Sequence, residues 1–589
     1  SSQFEVIGLS AKIDDGPTSW RTGDAEYITR MMGKPEWWED VAVVCHNTLF
    51  DGFILAQKYG IRPKLWIDTR AMARALYPWL PSHSLKSVSA YLGVGVKGTE
   101  VDDADGKHRL DFTPEDLAQY GEYCKNDVEL TYAIYKIMEP HFPALEYALV
   151  DMTVRMFTEP MFQLARDKLV TYRDQIIEDK AKLLSATGSS LAQLMSNQQF
   201  AEELEKLGVN APMKTSKTTG KWTYAFAKTD KGLTDLLECG DSAVEALVAA
   251  RLGNKTTIAE TRAQKLIETA DRGVGFPIYL NYWGAKTTGR YSGGNKINAQ
   301  NMPNRGKDRV LRESMLAPPG YVVVVGDSAN IELRVNMALS GQTDLLEKIR
   351  LYDAQGKDAT SDLYCDFASV VFGRPVGKGE KMERTVGKIA ELGLGYGCSA
   401  VPLQQMFRVQ AKIDYTEDQC KEIVGLYRET HADVQRLWNH FNNYVIPYMA
   451  NGDVMQAVDM NGWFLTTKRG FALPGYLGVA YNDLRRNSEN EWEYQQGKAR
   501  YKLYGSKGCE NLAQHAARHI VMWQTARVNQ KYPVKLTVHD EICVIVPEEE
   551  AETAAAYVLE SLRLAPKWCR GAIPLNGEVG IGKSYAEAK

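Results

Sequence analysis

The pattern of apolar and polar positions predicts alternating strands and helices over residues 1 to about 145. Phe4 to Ala11 alternates as a strand does, and Val41 to Cys45 is apolar throughout, as expected of a buried strand. Thr113 and Pro114 are typical of a helix N-terminus, because threonine accepts a hydrogen bond from a free N–H group and proline needs none. This region is therefore predicted to be an α/β domain.

Residues from about 146 to 285 show helical periodicity, for example over Tyr172–Lys182 and Phe200–Leu207. A polar segment rich in lysine, threonine and glycine interrupts these helices between 209 and 233. Alternating strands and turns are predicted later, from Trp463 to Tyr504. With 589 residues, 44% of them apolar and 24% charged, the chain is long enough for three or four domains.

Two apolar runs each stop at an aspartate. The valines at 322–325 are followed by Gly326 and Asp327, and the run that ends at Val538 is followed by His539, Asp540 and Glu541. Both aspartates are predicted at strand edges or turns. Because Mg²⁺ prefers oxygen ligands, paired carboxylates indicate metal-assisted phosphoryl transfer.

Arg384, Lys388, Leu392 and Tyr396 stand four apart, which predicts one stripe on a helix. The first two offer positive charge to a phosphate chain, and Tyr396 offers a flat surface for a sugar or base. Three glycines accompany the stripe, at positions 393, 395 and 397. Each costs roughly 1 kcal/mol inside a helix, so they indicate close approach of a template or nucleotide, or a helix built to bend.

These segments resemble the motifs of family-A DNA polymerases, in family order. Asp327–Arg334 resembles motif A (DYSQIELR), Arg384–Gly397 resembles motif B and His539–Glu541 resembles motif C. Thr288–Arg290 and Gln300–Pro303 are similar to the TGR and QNIP segments at the start of the palm. Glu510–Gln514 resembles the ENxxQ segment of the phage branch. The resemblance covers about half of the chain and implies a template-directed polymerase that adds dNTPs to a primer.

The resemblance also implies roles for the acidic residues. Asp327 and Asp540 would bridge two Mg²⁺ ions, for which Mn²⁺ can substitute, with the main-chain carbonyl of Ser328 as a further ligand and Glu541 as a nearby acid. Glu332 would lie under the sugar and exclude a 2′-hydroxyl. That glutamate separates the family from single-subunit RNA polymerases, which share the Arg/Lys/Tyr helix but lack the glutamate and the exonuclease domain.

Nucleotide contacts follow from motif B, with two departures from the family pattern. Arg384 and Lys388 are expected to bind the triphosphate. Leu392 stands where the family usually has Phe or Tyr, so its contact with the sugar is smaller. Tyr364 stands where bacterial members place a phosphate-contacting His, so any contact there has no charge. Both departures affect nucleotide selection rather than catalysis.

A net charge of −4 does not argue against DNA binding, because the local charge of a groove decides it. Exposed lysines are equally compatible with a solvated surface, but the motifs favour contact with the phosphate backbone. The residues predicted to contact DNA are Arg290, Gln300, Asn301, Gln514 and His539, with Lys214, Lys217 and Lys221 at the thumb tip.

The N-terminal region resembles DEDD-type 3′–5′ exonucleases through NxxFD, which ends at Asp51, and YxxxD, which joins Tyr123 to Asp127. The resemblance implies that Asp51 and Asp127 hold two metal ions and that Tyr123 orients the attacking water. The first family motif, DxE, does not occur on or before the first strand. We expect it upstream of Ser1 and expect weak exonuclease activity without it.

The predicted fold class is α/β and multi-domain, with a ribonuclease-H-like exonuclease domain followed by a right-hand polymerase. The predicted domains are an exonuclease-like domain (1–145), thumb (146–285), palm with motif A (286–345), fingers (346–499) and palm with motif C (500–589). Nine scattered cysteines favour a reducing compartment. No apolar run approaches the length of a membrane span.

The leading hypothesis is a phage-type DNA polymerase in the cytoplasm of a bacterial host, with other phage replication proteins as further partners and no membrane association. One alternative is a single-subunit RNA polymerase, and another is a DNA-binding scaffold with an inactive site. Glu332 and the N-terminal domain argue against the first alternative. The intact set of Asp327, Arg384, Lys388, Tyr396 and Asp540 argues against the second.

Overall fold

The computed structural model describes residues 4–98, 106–216, 220–228, 230–294, 297–569 and 571–589. Lys217, one of the predicted DNA contacts, lies outside the described residues. Within the described part of the chain, no helix is both long enough and apolar enough to cross a membrane.

The N-terminal region alternates strands and helices as predicted. Its elements are β1 (Gly8–Ala11), β2 (Ser19–Thr22), α1 (Ala25–Met32), β3 (Ala42–Cys45), α2 (Thr48–Tyr59), β4 (Leu65–Asp68), α3 (Thr69–Leu76), α4 (Leu85–Leu92) and α5 (Pro114–Met138). β1 pairs antiparallel with β2, and β3 pairs parallel with β4.

One of three local predictions in this region is confirmed, one strand is shorter than predicted, and one prediction of burial was wrong. Helix α5 begins as predicted, because the Thr113 hydroxyl accepts a hydrogen bond from the Asp116 N–H at 3.1 Å. The first strand is shorter than predicted and starts only at Gly8. The prediction of a buried strand at 41–45 was wrong about burial: β3 is half-buried to exposed, whereas its neighbour β4 is mostly buried.

The middle region is mainly helical, as its periodicity predicted. It contains α6 (Ala144–Thr158), β5 (Gln163–Leu164), α7 (Arg166–Ser185), α8 (Leu191–Met195), α9 (Asn197–Lys206), β6 (Met213–Thr215), β7 (Trp222–Tyr224), α10 (Lys231–Asp235), α11 (Ser242–Lys255) and α12 (Ile258–Ala270). The polar interruption folds as the antiparallel hairpin of β6 and β7. A separate small core, which includes Phe200, Phe226 and Leu247, supports this end of the region.

The third region begins with β8 (Leu280–Asn281), β9 (Ser292–Gly293), α13 (Val310–Glu313), β10 (Met315–Leu316), β11 (Tyr321–Ser328) and α14 (Ile331–Ser340). Seven further helices follow: α15 (Thr343–Gln355), α16 (Leu363–Phe372), α17 (Lys381–Leu394), α18 (Ala400–Met406), α19 (Glu417–Thr430), α20 (Ala432–His440) and α21 (Ile446–Asn451). The predicted β-rich segment is confirmed as β12 (Leu465–Thr467), β13 (Gly470–Ala472), β14 (Val479–Ala480), β15 (Asn482–Arg486), β16 (Trp492–Gln496) and β17 (Ala499–Lys502).

The chain closes with α22 (Gly505–Lys531), β18 (Val534–Val538), β19 (Glu541–Pro547), α23 (Ala551–Arg563) and β20 (Gly577–Gly582). An antiparallel sheet in the order β18-β19-β11-β20 carries the residues of motifs A and C. β11 is the strand of valines, and valine suits a strand buried between neighbours. Because β11 has a partner on each side, the position of Asp327 near its end is fixed by two hydrogen-bonded ladders.

Helix α6 joins the N-terminal region to this sheet region. On one side, the Asp151 carboxylate accepts a hydrogen bond from the Trp66 N–H of β4 at 2.8 Å. On the other, Glu146 forms a buried ion pair with Arg518 of α22, with Oε2 and Nη2 2.6 Å apart, and also accepts a hydrogen bond from the Tyr282 hydroxyl. A buried charge is tolerated when it is paired in this way, so the pair ties the two regions together.

Candidate active sites

The two predicted catalytic aspartates lie next to each other at one end of the sheet. Asp327 is the second-last residue of β11 and lies opposite Glu541 of β19. Asp540 lies in the turn between β18 and β19, where His539 adopts a left-handed conformation with φ of 54°. The Ser328 N–H donates a hydrogen bond to the Asp540 carbonyl at 3.2 Å. The prediction that both aspartates stand at a strand end or turn is therefore confirmed.

The electrostatics of this pair favour a bound cation. Burial, together with the charge of Asp327, raises the pKa of Asp540 to about 7. Burial also raises the pKa of Asp327, against the opposing effect of Lys589. Two half-buried carboxylates that resist ionisation side by side are stabilised when a divalent cation neutralises them. Oxygen donors of this kind fit Mg²⁺, although no cluster of three or more metal-binding side chains occurs among the described residues.

Glu541 points into a buried cluster that the sequence did not predict. Its carboxylate accepts a hydrogen bond from the Tyr585 hydroxyl at 2.6 Å and pairs with Lys589. Arg312 lies 3.9 Å from the same carboxylate, and its guanidinium stacks on the Tyr585 ring. These partners come from separate parts of the chain, and no local motif marks them.

Helix α17 carries the predicted triphosphate-binding residues. Arg384 binds the Asp362 carboxylate through Nε and Nη2, at 2.9 and 2.6 Å. Tyr364 is buried, and its hydroxyl donates a hydrogen bond to Asn330 at 3.0 Å, so it is already used within the protein. A side chain at Gly387 would lie 2.0 Å from the Tyr364 carbonyl, so this glycine lets α16 and α17 pack closely. That packing places Asp362 and Tyr364 beside Arg384 and Lys388.

The prediction that one helix carries the whole stripe was wrong at the C-terminal end of the stripe. Helix α17 ends at Leu394, so it includes Arg384, Lys388 and Leu392 but not Tyr396. Gly393 is inside the helix, Gly395 caps it, and Gly397 has a positive φ of 77°, which glycine adopts without strain. The glycines therefore end the helix and turn the chain, and Tyr396 lies in that turn. Leu392 is 44% exposed and free to contact a ligand.

Residues from four predicted motifs line one cleft: Arg290, Gln300, Glu332, His539 and Asp540. Glu332 forms an ion pair with Arg290. Burial raises the pKa of the Tyr396 hydroxyl, and the nearby charge of Glu332 raises it further. Burial, followed by the charge of Arg290, lowers the pKa of His539. Motif residues that are far apart in the sequence are thus brought together.

Several of the predicted DNA contacts already have partners within the protein. The Gln300 amide donates a hydrogen bond to the Thr537 carbonyl at 3.3 Å, and the Asn301 carbonyl accepts one from Arg262 at 3.2 Å. Gln514 contacts Glu510, one turn earlier on α22. Lys214, in the β6–β7 hairpin, pairs with Asp230 at 2.6 Å, and Lys221 also has a partner. Positive charge at this hairpin is therefore partly neutralised within the protein.

The predicted exonuclease residues lie on two helices, with Asp51 on α2 and both Tyr123 and Asp127 on α5. Lys97, which the sequence did not single out, binds the Asp127 carboxylate and the Tyr123 hydroxyl. Burial raises the pKa of Asp51 to about 6, and the charges of Asp68 and Asp127 contribute. Asp68 caps helix α3 and is a third acid near this site. Its position at the end of strand β4 is the sequence signal that could have indicated it.

Comparison with known proteins gives a family match on each of two parts of the chain. Residues 165–452 match the family model described as DNA polymerase family A, and residues 23–143 match the model described as 3′–5′ exonuclease. DNA polymerase I of Synechocystis sp. is 24% identical over 569 residues, which cover 93% of this chain and 53% of that protein. The DNA polymerase of Bacillus phage SP02 is 24% identical, with 85% of this chain and 80% of that protein covered.

The thermostable DNA polymerase I of Thermus aquaticus is 26% identical over 52% of this chain and 32% of its own length. The chain thus spans about half of the Synechocystis relative and about a third of the Thermus one.

Among solved structures, the POL domain of Pol1 from M. smegmatis, in complex with DNA primer-template and dNTP, has a TM-score of 0.65 at 18% identity. The match covers 99% of this chain and 93% of the other. This likeness confirms the predicted fold class, an exonuclease domain followed by a right-hand polymerase. The two family models match in the same order along the chain, 3′–5′ exonuclease over residues 23–143 and DNA polymerase family A over residues 165–452.

Proposed function

We propose that this protein is a template-directed DNA polymerase that adds dNTPs to a primer 3′ end by two-metal phosphoryl transfer. The observation that carries the proposal is the cleft in which Arg290, Glu332, His539 and Asp540 meet, together with the position of Asp327 close to Asp540. A binding scaffold has no need for two carboxylates that resist ionisation at the end of a sheet. The family match over residues 165–452 supports the same conclusion.

Asp327, Asp540 and the main-chain carbonyl of Ser328 would hold the metal ions, Mg²⁺ or Mn²⁺. Such ions supply Lewis-acid activation of a hydroxyl and neutralise phosphate charge when they are bound. The chain itself contributes rigid placement, because the turn that carries Asp540 is bonded to β11 through the Ser328 N–H. Glu541 acts indirectly, since its carboxylate is occupied by Tyr585 and Lys589.

The nucleotide would lie between α17 and the cleft. Arg384 and Lys388 project from one face of α17 and would bind the triphosphate, with Leu392 one turn further on. Arg384 must first leave Asp362, which holds it in this structure. Tyr364 supports these two cations through its ring rather than binding phosphate itself. Tyr396 in the following turn would contact the sugar or base.

Glu332 would select deoxyribonucleotides. Its carboxylate is held by Arg290, so it stands as a fixed obstacle in the cleft rather than a mobile side chain. A 2′-hydroxyl would meet this carboxylate and displace it from its partner. The ion pair thus supports DNA synthesis over RNA synthesis.

Primer-template DNA would contact Arg290, Gln300, Asn301, Gln514 and His539, with Lys214, Lys217 and Lys221 at the hairpin of the thumb. The proposed domains are an exonuclease-like domain at 1–145, thumb at 146–285, palm at 286–345 and 500–589, and fingers at 346–499. Asp51 and Asp127 would hold the exonuclease metals and Tyr123 would place the water. The bacterial and phage relatives support a role in DNA replication in a bacterial cell, and we assign it to phage replication.

Primer extension tests the proposal directly. A labelled primer on a defined template is incubated with Mg²⁺ and four dNTPs, then with each dNTP omitted in turn. We expect products to stop one nucleotide before the first template base that requires the missing dNTP. Products of the same length in every omission would contradict template-directed synthesis. Equal extension with NTPs in place of dNTPs would support the RNA-polymerase alternative.

A further inference from the structure

Lys589 places its ammonium group between two acids of the polymerase site. Its Nζ lies 3.2 Å from Oδ2 of Asp327 and also binds Oε1 of Glu541. The side chain is 25% exposed and Glu541 is 7% exposed, so solvent screens this contact only partly. A single positive charge therefore lies against an aspartate that we propose as a metal ligand.

The position of Lys589 is built by the chain that precedes it. The Tyr585 N–H donates a hydrogen bond to the Met315 carbonyl, and Arg309 donates one to the Ala586 carbonyl at 3.0 Å. Tyr585, Ala586 and Ala588 are almost completely buried. A segment fixed at several points delivers the lysine to the acids, in contrast to a flexible surface side chain that happens to lie near them.

Of the two aspartates, Lys589 forms an ion pair with Asp327 and not with Asp540. Its ion pairs are with Asp327 and Glu541, whereas Asp540 faces the cleft. A divalent cation that bridges Asp327 and Asp540 must approach this ammonium or displace it from Asp327. Like charges separated by a few ångströms repel strongly in a partly buried site.

We propose that Lys589 is an internal counter-ion that competes with the divalent cation at Asp327 and thereby sets the metal concentration at which the polymerase site fills. The inference rests on the proposed function, because that function assigns the metal to Asp327. Lys589 is a positioning residue, since it acts through Asp327 and Glu541 and need not contact the nucleotide.

Mn²⁺ binding to the protein alone tests this inference without any measurement of synthesis. Free Mn²⁺ is measured by electron paramagnetic resonance during titration of the full chain, with Asp127→Asn in every sample to weaken the exonuclease site. Lys589→Met removes the charge and keeps the length, and it is expected to tighten Mn²⁺ binding about tenfold. Lys589→Arg keeps the charge and is expected to resemble the parent. Unchanged or weaker binding in Lys589→Met would overturn the proposal.

Lys583→Met is the matched control, because Lys583 lies in the same segment but pairs with Glu548 at the surface. It is expected to bind Mn²⁺ as the parent does. Lys589→Gln is the second neutral variant, since glutamine can still donate a hydrogen bond to Glu541 and so preserves local packing. If Lys589→Met proves unfolded by circular dichroism, tightening in Lys589→Gln supports the proposal and parental binding in it contradicts the proposal.

Asp327→Asn separates this inference from the proposed function. It is expected to remove the polymerase-site Mn²⁺ in both the parent and the Lys589→Met background. Retained binding in Asp327→Asn would overturn the metal assignment itself. Loss of binding in Asp327→Asn, with no tightening in Lys589→Met, would overturn only the role of Lys589. In primer extension by Lys589→Met, the Mg²⁺ concentration that gives the half-maximal rate should fall below that of the parent, while the KM for dNTP stays constant.

Discussion

The proposed polymerase site and the proposed exonuclease site contain similar charged side chains on different secondary-structure elements. Each has two carboxylates that we propose as metal ligands and one lysine paired with one of them, Lys589 with Asp327 and Lys97 with Asp127. In the polymerase site, the acids stand at the ends of hydrogen-bonded strands. In the exonuclease site, Asp51 and Asp127 come from two helices, and Lys97 comes from the chain between α4 and α5.

The strands and the helices hold their pairs of acids with different rigidity. A strand register cannot slip by one residue without turning every side chain to the other face, so the positions of Asp327 and Asp540 are strongly determined. Two helices can shift against each other by small amounts while they keep their packing. We therefore expect the polymerase pair to be the more rigid metal site and the exonuclease pair to depend more on its surroundings.

Loss of primer extension should distinguish the proposed polymerase site from the proposed exonuclease site, and it is the strongest effect that we expect. Asp327→Ala or Asp540→Ala should lower primer extension by about a thousandfold or more, because both carboxylates are needed for the metal pair. DNA binding, measured by fluorescence anisotropy, should change little, since many dispersed contacts provide it. Asp51→Ala and Asp127→Ala should leave extension near the parental rate. Extension by either polymerase-site variant within tenfold of the parent would contradict the assignment of the sites.

Glu332→Ala should lower discrimination against ribonucleotides by about 10- to 100-fold, because it removes the obstacle to the 2′-hydroxyl. Glu332→Gln is the matched variant, since it keeps the shape but loses the ion pair with Arg290. We expect it to have an intermediate effect, measured as the ratio of kcat/KM for dCTP and CTP. Digestion of a 3′-labelled single strand serves as the control and should not change. An unchanged ratio in Glu332→Ala would exclude this residue as the selector.

The pH dependence of metal binding should differ between the two sites. Burial raises the pKa of Asp540 to about 7 and that of Asp51 to about 6. A protonated carboxyl does not bind metal, so Mn²⁺ affinity should fall about tenfold per pH unit below these values. A titration of Asp127→Asn isolates the polymerase site, and one of Asp327→Asn isolates the exonuclease site. If Mn²⁺ affinity fell at the same pH in both variants, the expected difference between the two sites would be contradicted.

The same shifts predict a stability effect in metal-free protein. The pKa of Asp540 is higher in the folded protein than in the unfolded chain. At any pH between these two pKa values, the folded protein therefore binds a proton that the unfolded chain has released. That contribution to stability is complete at low pH and is lost as the pH rises through about 7. The increase in Tm on addition of Mg²⁺ should therefore be larger at about pH 8 than at about pH 6.

The weakest effect that we expect is a change in the KM for dNTP when the ion pair of Arg384 with Asp362 is weakened. Asp362→Asn should lower the KM for dNTP about threefold, because it weakens an ion pair that holds Arg384 away from a phosphate. Asparagine preserves the N-terminal cap of α16, where Asp362 accepts the Cys365 N–H, so the fold should be retained. Asp358→Asn is a control on the same connection. A KM that rises instead would show that Asp362 positions Arg384 for binding rather than restraining it.

Much of the polymerase site could be predicted from local sequence. Asp327 follows a run of valines and Asp540 lies between two apolar runs, and the structure places both at strand ends. The end of α17 could not be predicted from spacing alone, because the helix ends at Leu394 and Tyr396 lies in the turn that follows, next to Gly397 with its positive φ. Periodicity indicates which face a residue would share, but it does not show where the helix ends.

Contacts between distant segments could not be predicted in the same way. Arg290 and Glu332 were each singled out, but their ion pair depends on how the loop before β9 packs beside α14. Lys97, Asp68 and Lys589 carry no motif, since one lysine or aspartate looks like many others on a surface. Their partners become visible only when the fold brings an opposite charge beside them or buries them.

During synthesis, Glu146 leaves the ribosome 372 residues ahead of Arg518. At 5–20 residues per second, that interval lasts about 20 to 75 seconds. Throughout it, α6 can pack on the N-terminal strands through Asp151, but burial of an unpaired Glu146 would be costly. The inner face of α6 must therefore stay hydrated or associate with a chaperone until α22 emerges. The nascent N-terminal region thus reaches its final form only after the last long helix has been translated.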